Sequence, residues 1–183
     1  YRPSTRMPRF FGNTNHLEGA SLDKANAYGQ IEVAGIVEYL LHYSQSFEYL
    51  DPAEGITPVT SAEDRQQQLA RGKIEFERCL ACHTHSDFPD TVNFRSEEEI
   101  VQGPDLSHLG AKFNQEKGRR WLYSWVKQPM RYHVRTVMPE LFLDPVIRKD
   151  TEGNVLEVTD PAADLVAYLL SGTSGTYQPK PYA

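Results

Sequence analysis

Cys79-Leu80-Ala81-Cys82-His83 is the stretch on which the reading of this chain turns. It has the form C-x-x-C-H, the signature of covalent attachment of a c-type haem. Two thiols three positions apart can each add to one vinyl group of the same porphyrin. The histidine that follows then lies under the iron and offers it an imidazole nitrogen. Cys79 and Cys82 are the only cysteines in 183 residues, so neither has another thiol of this chain to pair with. A redox disulfide and half of a zinc site are the competing readings of C-x-x-C. The first wants a thioredoxin-like βαβ context, which the sequence lacks. The second needs two more ligands, which only histidines or carboxylates could give.

Upstream of the motif, Ser61 and Asp64 have the spacing of a capping box, with Asp in place of the usual Glu. They predict a helix running to about Arg78, with Leu69, Lys73 and Phe76 on one face, that delivers Cys79 at its end. Pro52, Gly55 and Pro58 mark a linker over 51–61. Ile36, Val37, Leu40 and Leu41 predict a further helix from Ile31 to Tyr43. Residues 1–18 read as irregular. Downstream, Thr84 to Gln102 is polar and acidic, a surface loop with a short turn at Ser96–Ile100. Glu97-Glu98-Glu99 fits a solvated face better than acid–base machinery. Trp121, Leu122, Trp125 and Val126 make Gly118 to Lys127 an amphipathic helix stopped by Pro129. Residues 146–158 alternate apolar and polar around Glu152-Gly153-Asn154, as a surface hairpin would. Asp160-Pro161 is an N-cap followed by Pro at the first helical position, and that helix ends at Gly172. A mobile tail is expected over 173–183.

A methionine opposite the histidine would make a six-coordinate iron suited to electron transfer. Met130, Met138, His85, His108, His133 and His16 are the candidates. Met138 is preferred, because Pro129 precedes it and Pro139 follows it, which suits a rigid loop over a ring face. Met130 is the second choice. His85 stands too close to His83 to cross to the other face, and His108 or His133 would give a bis-histidine iron.

With these residues in view, the chain from about Ala62 to Gly172 resembles a class I cytochrome c. Gly72 and Phe76 resemble residues of that family's N-terminal helix. Gly103-Pro104-Asp105-Leu106 resembles its G-P-x-L. Trp125, Pro129, Tyr132, Thr136 and Met138 stand at the spacing of the family's residues leading to the distal ligand. The resemblance implies an all-α fold of a few helices wrapped around one haem c. It implies that His83 and Met138 ligate the iron and that the Pro104 carbonyl accepts a hydrogen bond from His83. Trp121 and Trp125 then pack the haem or the core, and either indole N–H, Tyr132 or Arg135 could reach a propionate. The chain departs from the pattern at Val134-Arg135, which replaces the family's Pro-Gly, and in the long loops after Thr84 and around Gly153.

The N-terminus repeats part of this pattern. Tyr1, Thr5, Met7, Pro8 and Phe11 match Tyr132, Thr136, Met138, Pro139 and Phe142 at an offset of 131 positions. Ala34, Val37, Tyr39, Leu40 and Leu41 match Ala163, Val166, Tyr168, Leu169 and Leu170 at an offset of 129. The division expected is therefore 1–50 as the back half of a preceding cytochrome-like module, then the linker, then a complete domain over 62–172. Met7 would serve a second haem held elsewhere; a degenerate module, or a chance match across a Pro- and Tyr-rich stretch, is the other reading.

The formal charge of −6, to which haem propionates would add, argues against nucleic-acid binding and favours a partner with a basic docking patch. No apolar run reaches the roughly 18–20 residues of a membrane span, and no signal peptide is evident. Attachment to C-x-x-C-H in bacteria takes place outside the cytoplasmic membrane. A periplasmic or outer-face location is expected, with any membrane association through a partner or a missing anchor. No nucleophile triad, phosphate loop, dinucleotide fingerprint or H-E-x-x-H stands in the chain. The expectation is an electron-transfer protein, a carrier or a haem-bearing subunit working with other redox proteins or haem subunits. It has no catalytic residues and no small-molecule substrate. The alternative is a catalytic or sensor haem with an open or displaceable distal site.

Overall fold

The computed structural model describes residues 14, 16–90 and 103–172. Met7 and the repeat around it, the turn at 96–100 and the tail lie outside the described residues. The chain divides into two units, at Glu48 and Tyr49.

In the first unit, helix α1 spans Gly19–Tyr43, twelve residues longer at its start than the apolar periodicity predicts. Leu22 and Ala25 extend the spacing upstream at lower amplitude and are half-buried. Lys24 lies over the Tyr28 ring one turn on, and Tyr39 meets Tyr43 in the same way at 4.6 Å between centroids. Ser44 closes the helix by donating its hydroxyl to the Leu41 carbonyl.

Over both units the described residues are mostly helical. The second unit runs in the order α2 (Ala62–Phe76), a 3-10 turn (Glu77–Ala81), α3 (Leu109–Phe113), α4 (Glu116–Lys127), a second 3-10 turn (Pro129–Arg131), strands β1 (Val146–Lys149) and β2 (Val155–Thr159), and α5 (Pro161–Leu169). The all-α expectation is corrected by the two strands. Branched residues at Val146, Ile147, Val155 and Val158 favour extended chain. Asp150 closes the turn by accepting from the Glu152 and Asn154 amides, and Gly153 supplies a positive φ of 89°. The strands pair antiparallel with Val146 opposite Thr159 and Arg148 opposite Glu157.

The capping box forms as the spacing predicts. Asp64 N donates to Ser61 Oγ and Ser61 N to Asp64 Oδ2, each at 3.0 Å. Asp160 caps α5 by accepting from the Ala162 and Ala163 amides. Helices α2 and α5 cross at Gly72, where an added Cβ would overlap the Asp164 carbonyl and stand 2.8 Å from Tyr168 Cβ. Phe76, Leu122, Tyr123, Val126, Leu165, Val166, Tyr168 and Leu169 form the core around this crossing.

Residues 50–61, which take in the expected linker, are hydrogen-bonded to later parts of the second unit. Leu50 N donates to Ser124 Oγ, Ala53 N to Asp160 Oδ2, and Thr57 exchanges two hydrogen bonds with Val158. The Pro and Gly residues of this segment break helix and strand; they do not keep the backbone from bonding to remote partners.

Candidate haem-attachment site

The C-x-x-C-H stretch rides on the 3-10 turn that continues α2. A 3-10 turn has three residues per turn, so positions three apart eclipse. Cys82 N and His83 N both donate to the Cys79 carbonyl, at 3.0 and 2.8 Å. These two bonds wind Cys79 to His83 into a single turn. Both cysteines are free and half-buried. Burial, reinforced by the Glu75 carboxylate and opposed by Arg78, pushes the Cys79 thiol up to about 11, so it is protonated at neutral pH.

His83 is held by the segment 103–107. The imidazole Nδ1 lies 2.8 Å from the Pro104 carbonyl oxygen, which can only accept. Nδ1 therefore carries the proton, which fixes the tautomer and the orientation of the ring. Gly103 makes this approach possible. An added Cβ there would stand 2.5 Å from two atoms of the His83 ring and 2.7 Å from the Cys82 carbonyl, to which Gly103 N already donates. The clamp continues with Leu106 N to Thr84 O at 2.9 Å and Thr84 Oγ1 to Asp105 Oδ2 at 2.8 Å. Burial would raise the Asp105 carboxyl. Hydrogen bonds from the Ser107 side chain and backbone and from Thr84 outweigh it and hold the group below its usual 3.8.

His85 is a core histidine. It is 7% exposed and packs against Phe76 at 5.0 Å and Tyr168 at 5.4 Å between centroids. Its Nδ1 accepts from the Asp87 amide, and burial lowers its pKa.

The residues proposed to lead to the distal ligand form a second group. Trp121 and Trp125, one helical turn apart on α4, stack at 5.5 Å and 7°. Tyr132 tilts against both rings and donates its hydroxyl to the Trp121 carbonyl at 3.3 Å. Phe113, which the sequence reading missed, stacks on the other face of this group against Trp121 at 5.1 Å. Its only mark in the sequence is an aromatic residue eight positions before Trp121. Met138 is half-buried, and its backbone amide donates to Thr136 Oγ1. Met130, by contrast, is 56% exposed. His16, His108, His133 and Arg135 are exposed, and His133 Nδ1 accepts from the Arg135 amide.

Cys79, Leu80, Leu106, Leu109 and Trp121 all border the one hydrophobic core. The structure thus joins Cys79, Cys82, His83 and Pro104 in one bonded group, and Trp125 and Tyr132 in another. Among the described residues, no three His, Cys, Asp or Glu side chains gather as a metal-binding group. The chemistry of these residues is of the kind a haem c would need: two reduced thiols, an imidazole braced through Nδ1 by the Pro104 carbonyl, and half-buried aromatic and thioether side chains. Comparison with protein-family models, with curated proteins and with solved structures found no match.

Proposed function

We propose that this chain is an electron-transfer protein of the class I cytochrome c kind, with one haem c bound through Cys79 and Cys82. The observation that carries the reading is the bond from His83 Nδ1 to the Pro104 carbonyl, placed directly after a wound pair of reduced cysteines. The bound haem would supply a one-electron iron couple. His83 and Met138 would hold its iron. Pro104 fixes the imidazole and raises its basicity, and Gly103 lets the carbonyl reach it. Trp121, Trp125 and Tyr132 would shield the bound group from water. The working location is outside the cytoplasmic membrane, and the partners are other redox proteins or haem subunits. Met7 is proposed to serve a second haem borne elsewhere.

The test is expression in a bacterial host with a c-haem maturation system. Mass spectrometry and a pyridine haemochrome should give one haem bound by two thioethers. Cys79→Ser with Cys82→Ser should abolish attachment. The reduced protein should ignore carbon monoxide, and Met138→Leu should admit it. A colourless product would sink the reading, and rapid carbon monoxide binding by the unaltered protein would replace it with the open-site alternative.

A further inference from the structure

The loop that carries Met138 has two sides. Tyr132, Thr136 and Met138 are half-buried, while Arg131, Val134, Arg135 and Val137 between them are exposed. Val134 at 78%, Phe142 at 76% and Val137 at 75% are the most exposed large apolar side chains among the described residues. All three fall within nine positions. Singly exposed apolar residues are ordinary; three of them at such exposure in one loop are not. Phe142 adds backbone strain. It has φ 51°, the one positive value outside glycine among the described residues, and an aromatic residue adopts that region rarely. An exposed ring on a strained backbone costs the free protein twice, and burial against a partner would offset part of that.

The charge of this loop is opposite to that of the chain. From Pro129 to Leu143 there are two arginines, Arg131 and Arg135, and a single acid, Glu140, in a protein of net charge −6. A docking partner feels charges within about one Debye length, roughly 8 Å at physiological ionic strength, so the local sign governs orientation. We propose that the outer side of the loop 130–142 is the docking surface for a redox protein whose contact face is apolar and ringed by carboxylates. The proposal rests on the haem reading above, since it places the partner one residue, Val137, from the proposed distal ligand. It also reverses the expectation of a basic partner drawn from net charge alone.

The test uses gold films carrying mixed monolayers, methyl-terminated thiols with either carboxylate-terminated or ammonium-terminated ones. Adsorption of the haem-loaded protein is read by surface plasmon resonance, and the same film gives the electron-exchange rate by voltammetry. The expected result is stronger adsorption and faster exchange on the carboxylate film, lost as salt rises from about 10 to about 150 mM. Arg135→Gln should weaken adsorption about threefold, as removal of one exposed charge does. Val134→Ser should weaken it too. Phe142→Asn should weaken adsorption while leaving thermal stability equal or higher, because Asn tolerates a positive φ. Stronger adsorption on the ammonium film, or indifference to all three variants, overturns the docking surface. A protein without haem absorption and without a wave on either film would instead overturn the haem reading, whatever its adsorption.

Discussion

Replacing Gly72 by Ala sets two effects against each other, and their magnitudes decide the sign. Gly72 lies inside α2, where Ala is worth about 1 kcal/mol over Gly in helix propensity. Were the site open, Gly72→Ala would stabilise the fold. It is not open: the new Cβ would overlap the Asp164 carbonyl, a backbone atom of α5 that no rotamer change can remove. Helix α5 cannot slide away freely either. Its start is fixed through Asp160 to Tyr123, to Ala53 and to its own first amides. The remaining relief is a separation of the two helices by part of an ångström. That thins the packing of Phe76 and Tyr168 and lengthens the 2.6 Å ion pair from Arg71 to Asp164. Overpacking of this kind costs about 1–3 kcal/mol, to which the lengthened partly buried pair adds. A net loss of about 2 kcal/mol is expected, or a fall in Tm of roughly 5–10 °C for a unit of this size. Denaturation of the haem-loaded protein followed by circular dichroism measures it. Gly35→Ala in α1 is the control, because nothing lies within 4 Å of its Cβ position and helicity there should rise. If Gly72→Ala melts at or above the unaltered protein, the crossing does not depend on close approach at Gly72.

Gly103→Ala should push the His83 ring off the Pro104 carbonyl; the expected readouts are a shifted reduction potential and an altered proton resonance of the proximal imidazole, with little change in haem content. Asp160→Ala leaves the Ala53, Ala162 and Ala163 amides and the Tyr123 hydroxyl without their acceptor, and should cost about 2–4 kcal/mol in urea unfolding. The Asp105 carboxyl sits below its usual 3.8 in the folded protein, so its clamp on Thr84 and Ser107 is fully present above that value. It is lost as pH falls through the lower folded pKa, so Asp105→Asn should lower stability at pH 7, where the clamp is otherwise complete, and flatten the acid limb of stability against pH. Tyr132→Phe should leave the ring packed on Trp121 and Trp125 and remove one bond to the Trp121 carbonyl, a loss of about 1 kcal/mol by the same unfolding assay.

The parts of this fold that can be read from sequence are those whose cause is local. Ser61 and Asp64 cap α2 because a hydroxyl and a carboxylate three apart reach each other's amides whatever lies around them. Asp160-Pro161 starts α5 for the same reason, and Asp150 with Gly153 turns the hairpin. The segment 50–61 is opaque because its bonds run to Ser124, Val158 and Asp160, and nothing in the local composition marks a partner over 70 positions away. Helix α3 is too short, at five residues, to show a period. The first turns of α1 lack strong apolar contrast, and Gly29 and Gly35 lower its propensity. At the site, C-x-x-C-H is legible as chemistry, whereas the contact from His83 to Pro104 is foreseen only through the resemblance. That Gly103 must be Gly follows from a ring and a carbonyl crowding one Cβ position, which only coordinates supply.

The Asp160 node bears on the site as well as on stability. One carboxylate, 1% exposed, accepts from the segment 50–61, from α4 through Tyr123 and from the start of α5. Helix α5 in turn fixes α2 at Gly72, and α2 runs without a break into the 3-10 turn bearing Cys79 and Cys82. Helix α4 carries Trp121 and Trp125, against which Tyr132 holds the start of the loop to Met138. The two axial candidates therefore descend from different helices that one buried carboxylate ties together. A relay of single electrons is served by axial side chains that keep their places when the charge on the iron changes. The Pro104 carbonyl holds the His83 ring, and the Thr136 hydroxyl accepts from the Met138 backbone amide. On the proposed haem reading, loosening Asp160 should then disturb the reduction potential as well as the melting temperature, and in a protein whose two lobes were independently braced it would change the second alone.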